Sequence, residues 1–109
     1  MRADKLKALE QYLQREFDLN QTLRQLNRLH MATWGTHNLV NIQNKGLMFS
    51  VNGNHHKGKV LITLAWDDTY IVTLLNTQNN VKESFSNIYC DELSNLIDEK
   101  VEKIKDYVR

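Results

Sequence analysis

The chain has 109 residues, a formal charge of +1 and one cysteine, Cys90. This length fits one domain over residues 1–109, and fractions of 41% hydrophobic and 25% charged residues are those of a globular protein. An intramolecular disulfide and a multi-cysteine zinc site are excluded, and a charge near zero is atypical of nucleic-acid-binding proteins. We expect a cytoplasmic protein without a membrane segment, because the sequence shows neither a signal-peptide pattern nor a stretch approaching 18 apolar residues.

Residues 1–33 show the periodicity of helices. The side chains of one stripe recur every three or four residues in two runs, which are Leu6, Leu9, Leu13 and Phe17, then Leu19, Leu23, Leu26 and either Leu29 or His30. The stripe shifts between the runs, where Asp18 and Asn20 are candidate N-caps. The pattern predicts either two helices or one bent helix, ending before Gly35.

Residues 38–86 have the features of a β-meander. Apolar and β-branched residues form short runs separated by turns rich in Gly, Asn or Asp, and these runs span 39–42, 47–52, 60–66, 69–75 and 81–85. Because short turns join antiparallel strands, we expect an antiparallel sheet of four or five strands. Trp66 is in phase with the apolar side of the third run, which favours core or interface packing over stacking on nucleic-acid bases, the alternative for both Trp34 and Trp66.

Residues 89–108 are predicted to form a C-terminal amphipathic helix. The apolar positions at helical spacing are Leu93, Leu96, Ile97, Val101, Ile104 and Val108. The expected fold is therefore α+β, with the helices packed on one side of the sheet. The other sheet face also carries apolar residues, among them Leu61, Ile71 and Leu75, which indicates burial by the N-terminal helices or by a second copy of the chain.

The turn at residues 53–59 is the leading candidate for a binding site. It holds His55, His56, Lys57 and Lys59 between or beside two glycines, in a part of the chain without acidic residues. Backbone N–H groups and cationic side chains of this kind bind phosphate groups. The candidate nucleic-acid or anion site consists of Lys45, His55, His56, Lys57 and Lys59, with Arg24 and Arg28 as further contributors. A solvated hairpin tip explains the same residues.

Signals for catalysis and metal binding are weak. The four histidines and Cys90 have no metal-ligand spacing, so we expect neither a metal nor another cofactor. The pair Asp67-Asp68 fits the chemistry of a hairpin turn better than that of a catalytic acid pair. Cys90 has no sequence context typical of a nucleophile. These observations predict a protein that is not an enzyme.

The second half of the chain resembles a group of small uncharacterised proteins from bacteriophages and other mobile elements. The resemblance covers about residues 60–102 and depends on Asp68-Thr69-Tyr70, on Ile88-Tyr89-Cys90-Asp91-Glu92-Leu93, and on the following Leu96-Ile97-Asp98 and Val101-Glu102. A composition rich in asparagine and lysine fits a low-GC bacterial or phage genome. The resemblance implies a fold and an origin, but no catalytic residues.

The leading functional hypothesis is a small non-enzymatic interaction protein that binds a protein partner or forms a homo-oligomer. It depends on the missing catalytic constellations, the two apolar sheet faces and the near-neutral charge. The alternative is a nucleic-acid-binding module that uses the basic turn at residues 53–59, with affinity that falls steeply as salt increases.

Overall fold

Five antiparallel strands follow one another across the sheet in chain order, which confirms the predicted meander. In the computed structural model, which describes residues 12–26, 28–53, 56–78 and 80–101, the strands are β1 His37–Ile42, β2 Gly46–Asn52, β3 Lys57–Leu64, β4 Tyr70–Leu75 and β5 Val81–Ile88. Two short helices, α1 Leu19–Gln25 and α2 Arg28–Thr33, precede the sheet, and α3 Leu93–Val101 follows it. The chain therefore has the α+β class that the sequence predicts.

Helix α1 begins at the predicted cap. Asp18 has an extended backbone, and its carboxylate oxygen Oδ1 accepts hydrogen bonds from the N–H groups of Asn20 at 3.0 Å and Gln21 at 3.2 Å. These bonds satisfy two N–H groups that have no partner within the helix. The second predicted stripe is helical over α1. Helicity over residues 1–11 stays a prediction, because those residues lie outside the described part of the chain.

The prediction of a helix is wrong at the end of the first stripe, because residues 13–18 are not helical. Leu13 packs against Met48 and Leu61 on one sheet face, whereas Phe17 packs in the core on the other face. The N–H of Phe17 donates to the carbonyl oxygen of Asn44 in the β1–β2 turn at 3.0 Å, so the segment is fixed beside the sheet. The spacing of four residues reflects two separate burial sites rather than one helical stripe.

Helix α3 covers the same sheet face as α1. Its side chains Leu93, Ile97 and Val101 are fully buried, as their spacing predicts, while Ile104 and Val108 lie outside the described residues. The helix begins at Leu93 rather than at about Tyr89, because residues 89–92 form a turn in which the Glu92 carboxylate accepts the Tyr89 N–H at 3.2 Å.

Both faces of the central sheet are buried within one chain. The face under the helices is lined by alternating residues of the three central strands, which are Leu47, Phe49, Val60, Ile62, Val72 and Leu74. On the opposite face Leu61, Thr63 and Leu75 are also inaccessible to solvent, and Tyr12 and Leu13 pack there. A second copy is therefore not required to bury this face.

Glycine permits a close approach between the β2–β3 turn and the end of α3. A Cβ atom at Gly53 would collide with the carbonyl oxygen and side chain of Val101. Because the nearest atom belongs to the backbone, a rotamer change in a side chain cannot relieve the collision. The glycine thus fixes how closely the turn and the helix pack. None of the helices within the described ranges is both long and apolar enough to cross a bilayer.

The two edge strands differ in character. Strand β1 has five exposed residues in succession, and among them Leu39 and Val40 expose 50% and 42% of their surface. Strand β5 is also exposed but carries Lys82 and Glu83, and its pairing with β4 is interrupted by two bulges. Charged side chains and bulges on an edge strand oppose pairing with further strands.

Candidate interaction surface

The basic residues predicted to form one site are dispersed over the molecule. Lys57 and Lys59 lie at the start of β3, and Lys45 lies in the turn before β2, at the opposite end of the sheet. The length of β2 separates these two positions by about 20 Å. Arg24 is exposed on α1, beside a hollow lined by Leu23, Leu26 and Met31. His55 and the side chain of Arg28 lie outside the described part of the structure.

His56 is a buried structural residue rather than an exposed phosphate ligand, with 2% of its surface accessible. Its Nε2 lies 3.0 Å from the carbonyl oxygen of Lys59, which can only accept, so Nε2 carries the proton and donates. Nδ1 therefore accepts, and the Lys82 Nζ donates to it at 3.3 Å. Burial lowers the pKa of His56, and the nearby charge of Lys82 lowers it further, against the opposing effect of the bond to Lys59.

A tight contact explains why His56 is buried. A Cβ atom at Gly58 would collide with the carbonyl oxygen of Leu75. The backbones of β3 and of the end of β4 are therefore closer at this point than a residue with a side chain would permit. The residue that completes the environment of His56, Lys82, comes from β5 and lies 26 positions away in the chain. No local pattern in the sequence indicates this contact, and sequence analysis missed it.

The Asp67-Asp68 pair is a turn, as predicted. The Asp67 carboxylate accepts the Thr69 hydroxyl at 2.6 Å and the Thr69 N–H at 3.1 Å, and Asp68 has a positive φ of 68°. The hydrogen bonds from the Thr69 hydroxyl and N–H lower the pKa of Asp67. Both features are those of an Asx turn that reverses the chain between β3 and β4.

Trp34 and Trp66 have opposite environments. Trp34 is completely buried, its ring stacks against Phe49 at 6.4 Å between centroids, and its Nε1 donates to Asp98 at 3.0 Å. Stacking of Trp34 on nucleic-acid bases is therefore excluded in this fold. Trp66 lies beyond the end of β3 and exposes 72% of its surface, so core packing, one of its two predicted roles, is wrong for this residue.

An arginine side chain contacts the exposed Trp66 ring. The Arg15 guanidinium lies 5.7 Å from the centroid of the ring, and its Nη1 forms a 2.6 Å ion pair with Asp68 in the same turn. Cation–π contact and ion pairing thus act on one guanidinium. We define the Trp66 surface as Trp66, Arg15 and Asp68 together with the cleft beside them.

The cleft beside Trp66 has a volume of about 330 Å³ and lies between the segment preceding α1, α1 itself and the β3–β4 turn. Its lining includes Arg15, Asp68, Gln21, Gln25, Tyr70 and Cys90. The Tyr70 hydroxyl is hydrogen-bonded to the Thr22 hydroxyl at 3.0 Å, whereas the Gln25 Oε1 is buried without a hydrogen-bond partner. The Cys90 thiol is exposed and free, and its neighbour Tyr89 exposes 61% of its surface.

Metal ligands do not converge in the ranges that the structure covers, where no group of three His, Cys, Asp or Glu side chains is placed to hold an ion. His37, for example, uses its Nδ1 in a 2.7 Å hydrogen bond with the carbonyl oxygen of Gly35.

Comparison of the chain with protein-family models, with curated proteins and with solved structures gave no match. The fold and the site alone describe the chain as a small α+β protein with an exposed aromatic surface at one end of its sheet. The resemblance to proteins of phages and mobile elements stays a prediction.

Proposed function

We propose that this chain is a non-enzymatic protein that binds a protein partner through the Trp66 surface. The observation that carries the proposal is the 72% exposure of a tryptophan whose ring contacts Arg15, the partner of Asp68 in an ion pair. Tryptophan, tyrosine and arginine are the residues that contribute most to protein interfaces. Because the ring already contacts a guanidinium on one side, covering it with a partner restricts fewer of its conformations than covering a ring without contacts would.

The expected gain from covering Trp66 is large for one residue. A tryptophan side chain buries roughly 150–250 Å² in a protein interior. If a partner covers half of the exposed ring, the transfer free energy is on the order of 2 kcal/mol, at about 25 cal/mol per Å². That value corresponds to a change in Kd of about thirtyfold.

The non-enzymatic part of the proposal is supported by the placement of the titratable groups. The pKa values of His56 and Asp67 are both lowered, and these two residues lie beyond opposite ends of β3. The hydrogen bonds of both residues stabilise local structure: His56 bonds to the backbone at the start of β3, and Asp67 bonds to the backbone of the β3–β4 turn. General acid–base catalysis needs such groups to converge on one substrate.

Nucleic-acid binding is the weaker alternative. Lys57 and Lys59 lie at the end of β3 farthest from Trp66, so the predicted basic turn and the exposed aromatic ring do not form one groove. The one cation described beside the ring, Arg15, is already ion-paired with Asp68. Binding of single-stranded nucleic acid uses both groups side by side.

The test is a comparison of three tagged proteins: wild type, Trp66→Ala and Val81→Ala. Val81 is the matched control, since it is also an exposed apolar residue but lies at the opposite end of the sheet. The tagged proteins are incubated with lysate of a phage-infected low-GC bacterium, in parallel with and without nuclease treatment. Bound proteins are identified and quantified by mass spectrometry, and bound nucleic acid is quantified separately. The purified partner is then titrated against each variant.

We expect one partner in stoichiometric amount on wild type and Val81→Ala, with a Kd about thirtyfold weaker for Trp66→Ala. Equal capture by Trp66→Ala would place the interface elsewhere. Recovery of nucleic acid that disappears with nuclease, with no protein retained, would favour the alternative function. A column that retains only the tagged chain would refute partner binding.

A further inference from the structure

We infer that β1 is a self-association edge, at which two copies of this chain pair antiparallel to form a continuous ten-stranded sheet. The inference concerns a surface separate from the Trp66 surface, because β2 lies between β1 and the strand that leads to Trp66. It also differs from the sequence-based expectation, which placed a second copy on a sheet face rather than at an edge.

The exposed side chains of β1 are those of a strand that accepts a neighbour. Leu39 and Val40 are adjacent and therefore point to opposite sides of the sheet, and they are 50% and 42% exposed. The sequence of the strand, His-Asn-Leu-Val-Asn-Ile, contains no lysine, arginine or acidic residue. An edge strand that exposes apolar side chains and has no Lys, Arg, Asp or Glu lacks the features that oppose pairing with another chain.

The absence of such charges favours a second copy as the occupant. Antiparallel pairing of identical strands about a two-fold axis brings the residue on the axis opposite its own copy and pairs the residues on its two sides with one another, so a charge at the axis would face a like charge. In β1 this pairing places Asn, Leu and Val side chains together. One bulge, where Asn38 has a φ of 56°, precedes the regular pairing of Val40 through Ile42 with β2.

The opposite edge explains why association stops at two copies. Strand β5 carries the exposed side chains of Lys82 and Glu83, its pairing with β4 is interrupted by two bulges, and Lys100 of α3 lies 4.9 Å from the ring centroid of Phe85. Growth of the sheet beyond a dimer would require β5 edges to pair. The charged side chains and the covering lysine oppose that step, and β5 has two bulges where β1 has one.

The first experiment is sedimentation equilibrium of the full chain up to high micromolar concentration. The edge variants are Val40→Lys and Leu39→Lys, and the control is Ser86→Lys, which places the same charge on the exposed β5 strand. We expect a reversible dimer for wild type and Ser86→Lys, and a dimer Kd at least about tenfold weaker for both edge variants, because each change acts twice in a symmetric dimer. Circular dichroism checks that each variant is folded.

The second experiment locates the two-fold axis. Cysteine is introduced singly at residues 39, 40 and 41 in a Cys90→Ser chain, and disulfide formation is measured under mild oxidation. A residue on the axis lies about 5 Å from its copy, within disulfide range, whereas a residue two positions away lies about 13 Å from its copy. We therefore expect efficient cross-linking to peak at one position.

Three results would overturn the inference: a monomeric wild type at all concentrations, a dimer unaffected by both edge variants, or open-ended oligomers in place of a dimer. The Trp66→Ala variant separates the two proposals. It should form the dimer as wild type does while losing the protein partner, so either proposal can fail without the other.

Discussion

The buried imidazole of His56 should make stability depend on pH in a defined window. Burial, reinforced by Lys82, lowers the pKa of His56 in the folded chain below the ordinary value of 6.5. As pH falls below about 6.5, the unfolded chain binds a proton that the folded chain does not. The free energy of unfolding therefore decreases until the pH reaches the lowered pKa of the folded state, and below that point the slope disappears.

The size of this effect follows from one proton. A single group that is protonated only in the unfolded chain changes the free energy of unfolding by at most about 1.4 kcal/mol per pH unit. Urea unfolding, monitored by circular dichroism between about pH 8 and pH 5, measures the slope. Replacement His56→Gln removes the titrating group but leaves an amide N–H that can donate to the Lys59 carbonyl.

The matched controls isolate the imidazole. In His56→Gln, the free energy of unfolding should lose the pH dependence that His56 contributes, whatever the stability of this variant at high pH. In His37→Gln, on the exposed strand β1, that pH dependence should remain. Lys82→Gln retains a donor for Nδ1 but removes the positive charge that helps to lower the pKa of His56. The pKa in the folded chain should therefore move towards 6.5, and stability should depend on pH over a narrower range. An identical pH dependence in wild type and His56→Gln would refute the assignment of His56 as the buried neutral group.

Three further predictions concern stability and titration. Gly53→Ala forces a Cβ into the Val101 carbonyl, so it should lower the free energy of unfolding by about 1–3 kcal/mol in urea denaturation. Trp34→Phe removes a buried-ring hydrogen bond to a carboxylate and should cost about 1.5–3 kcal/mol in the same assay; a loss near zero would show that the bond contributes nothing. Thr69→Val removes the shorter of two hydrogen bonds to Asp67, so the pKa of that carboxyl, followed by NMR, should rise towards its ordinary value; an unchanged pKa would contradict the role of the hydroxyl.

The strands and their order could be predicted because the signals are local. Alternation with period two, β-branched residues and turn residues all act over a few positions, and the meander needs only neighbouring strands to pair. The N-cap at Asp18 and the buried face of α3 were predictable for the same reason, since capping and helical periodicity are local properties.

Features that depend on distant segments were not predictable. Leu13 and Phe17 have helical spacing, but the chain places them on opposite sheet faces. Trp66 continues the alternation of β3 in sequence, although the strand has already ended at Leu64.

The candidate site was mostly missed for the same reason. The sequence predicts His56 as an exposed turn residue. Its burial depends on the close contact of Gly58 with Leu75 and on the side chain of Lys82 from β5, and neither contact has a local signal in the sequence. The Trp66 surface needs Arg15, which is 53 positions from Asp68 in the chain. Of the three residues that define the surface, Trp66 alone was predicted as an interface residue, as one of its two predicted roles, whereas Asp68 was predicted as part of a turn.

The order of the strands also bears on how the chain folds. Each strand pairs with the strand that precedes or follows it, so the four hairpins can form one after another by closing short loops, which are fast steps. The contacts that span the chain, such as Thr22 with Tyr70 and Trp34 with Asp98, join the terminal helical segments to the sheet or to each other. We therefore expect the folding nucleus to lie in the central hairpins, with φ-values near zero for Trp34 and Asp98, and substitutions at these two residues to speed unfolding more than they slow folding.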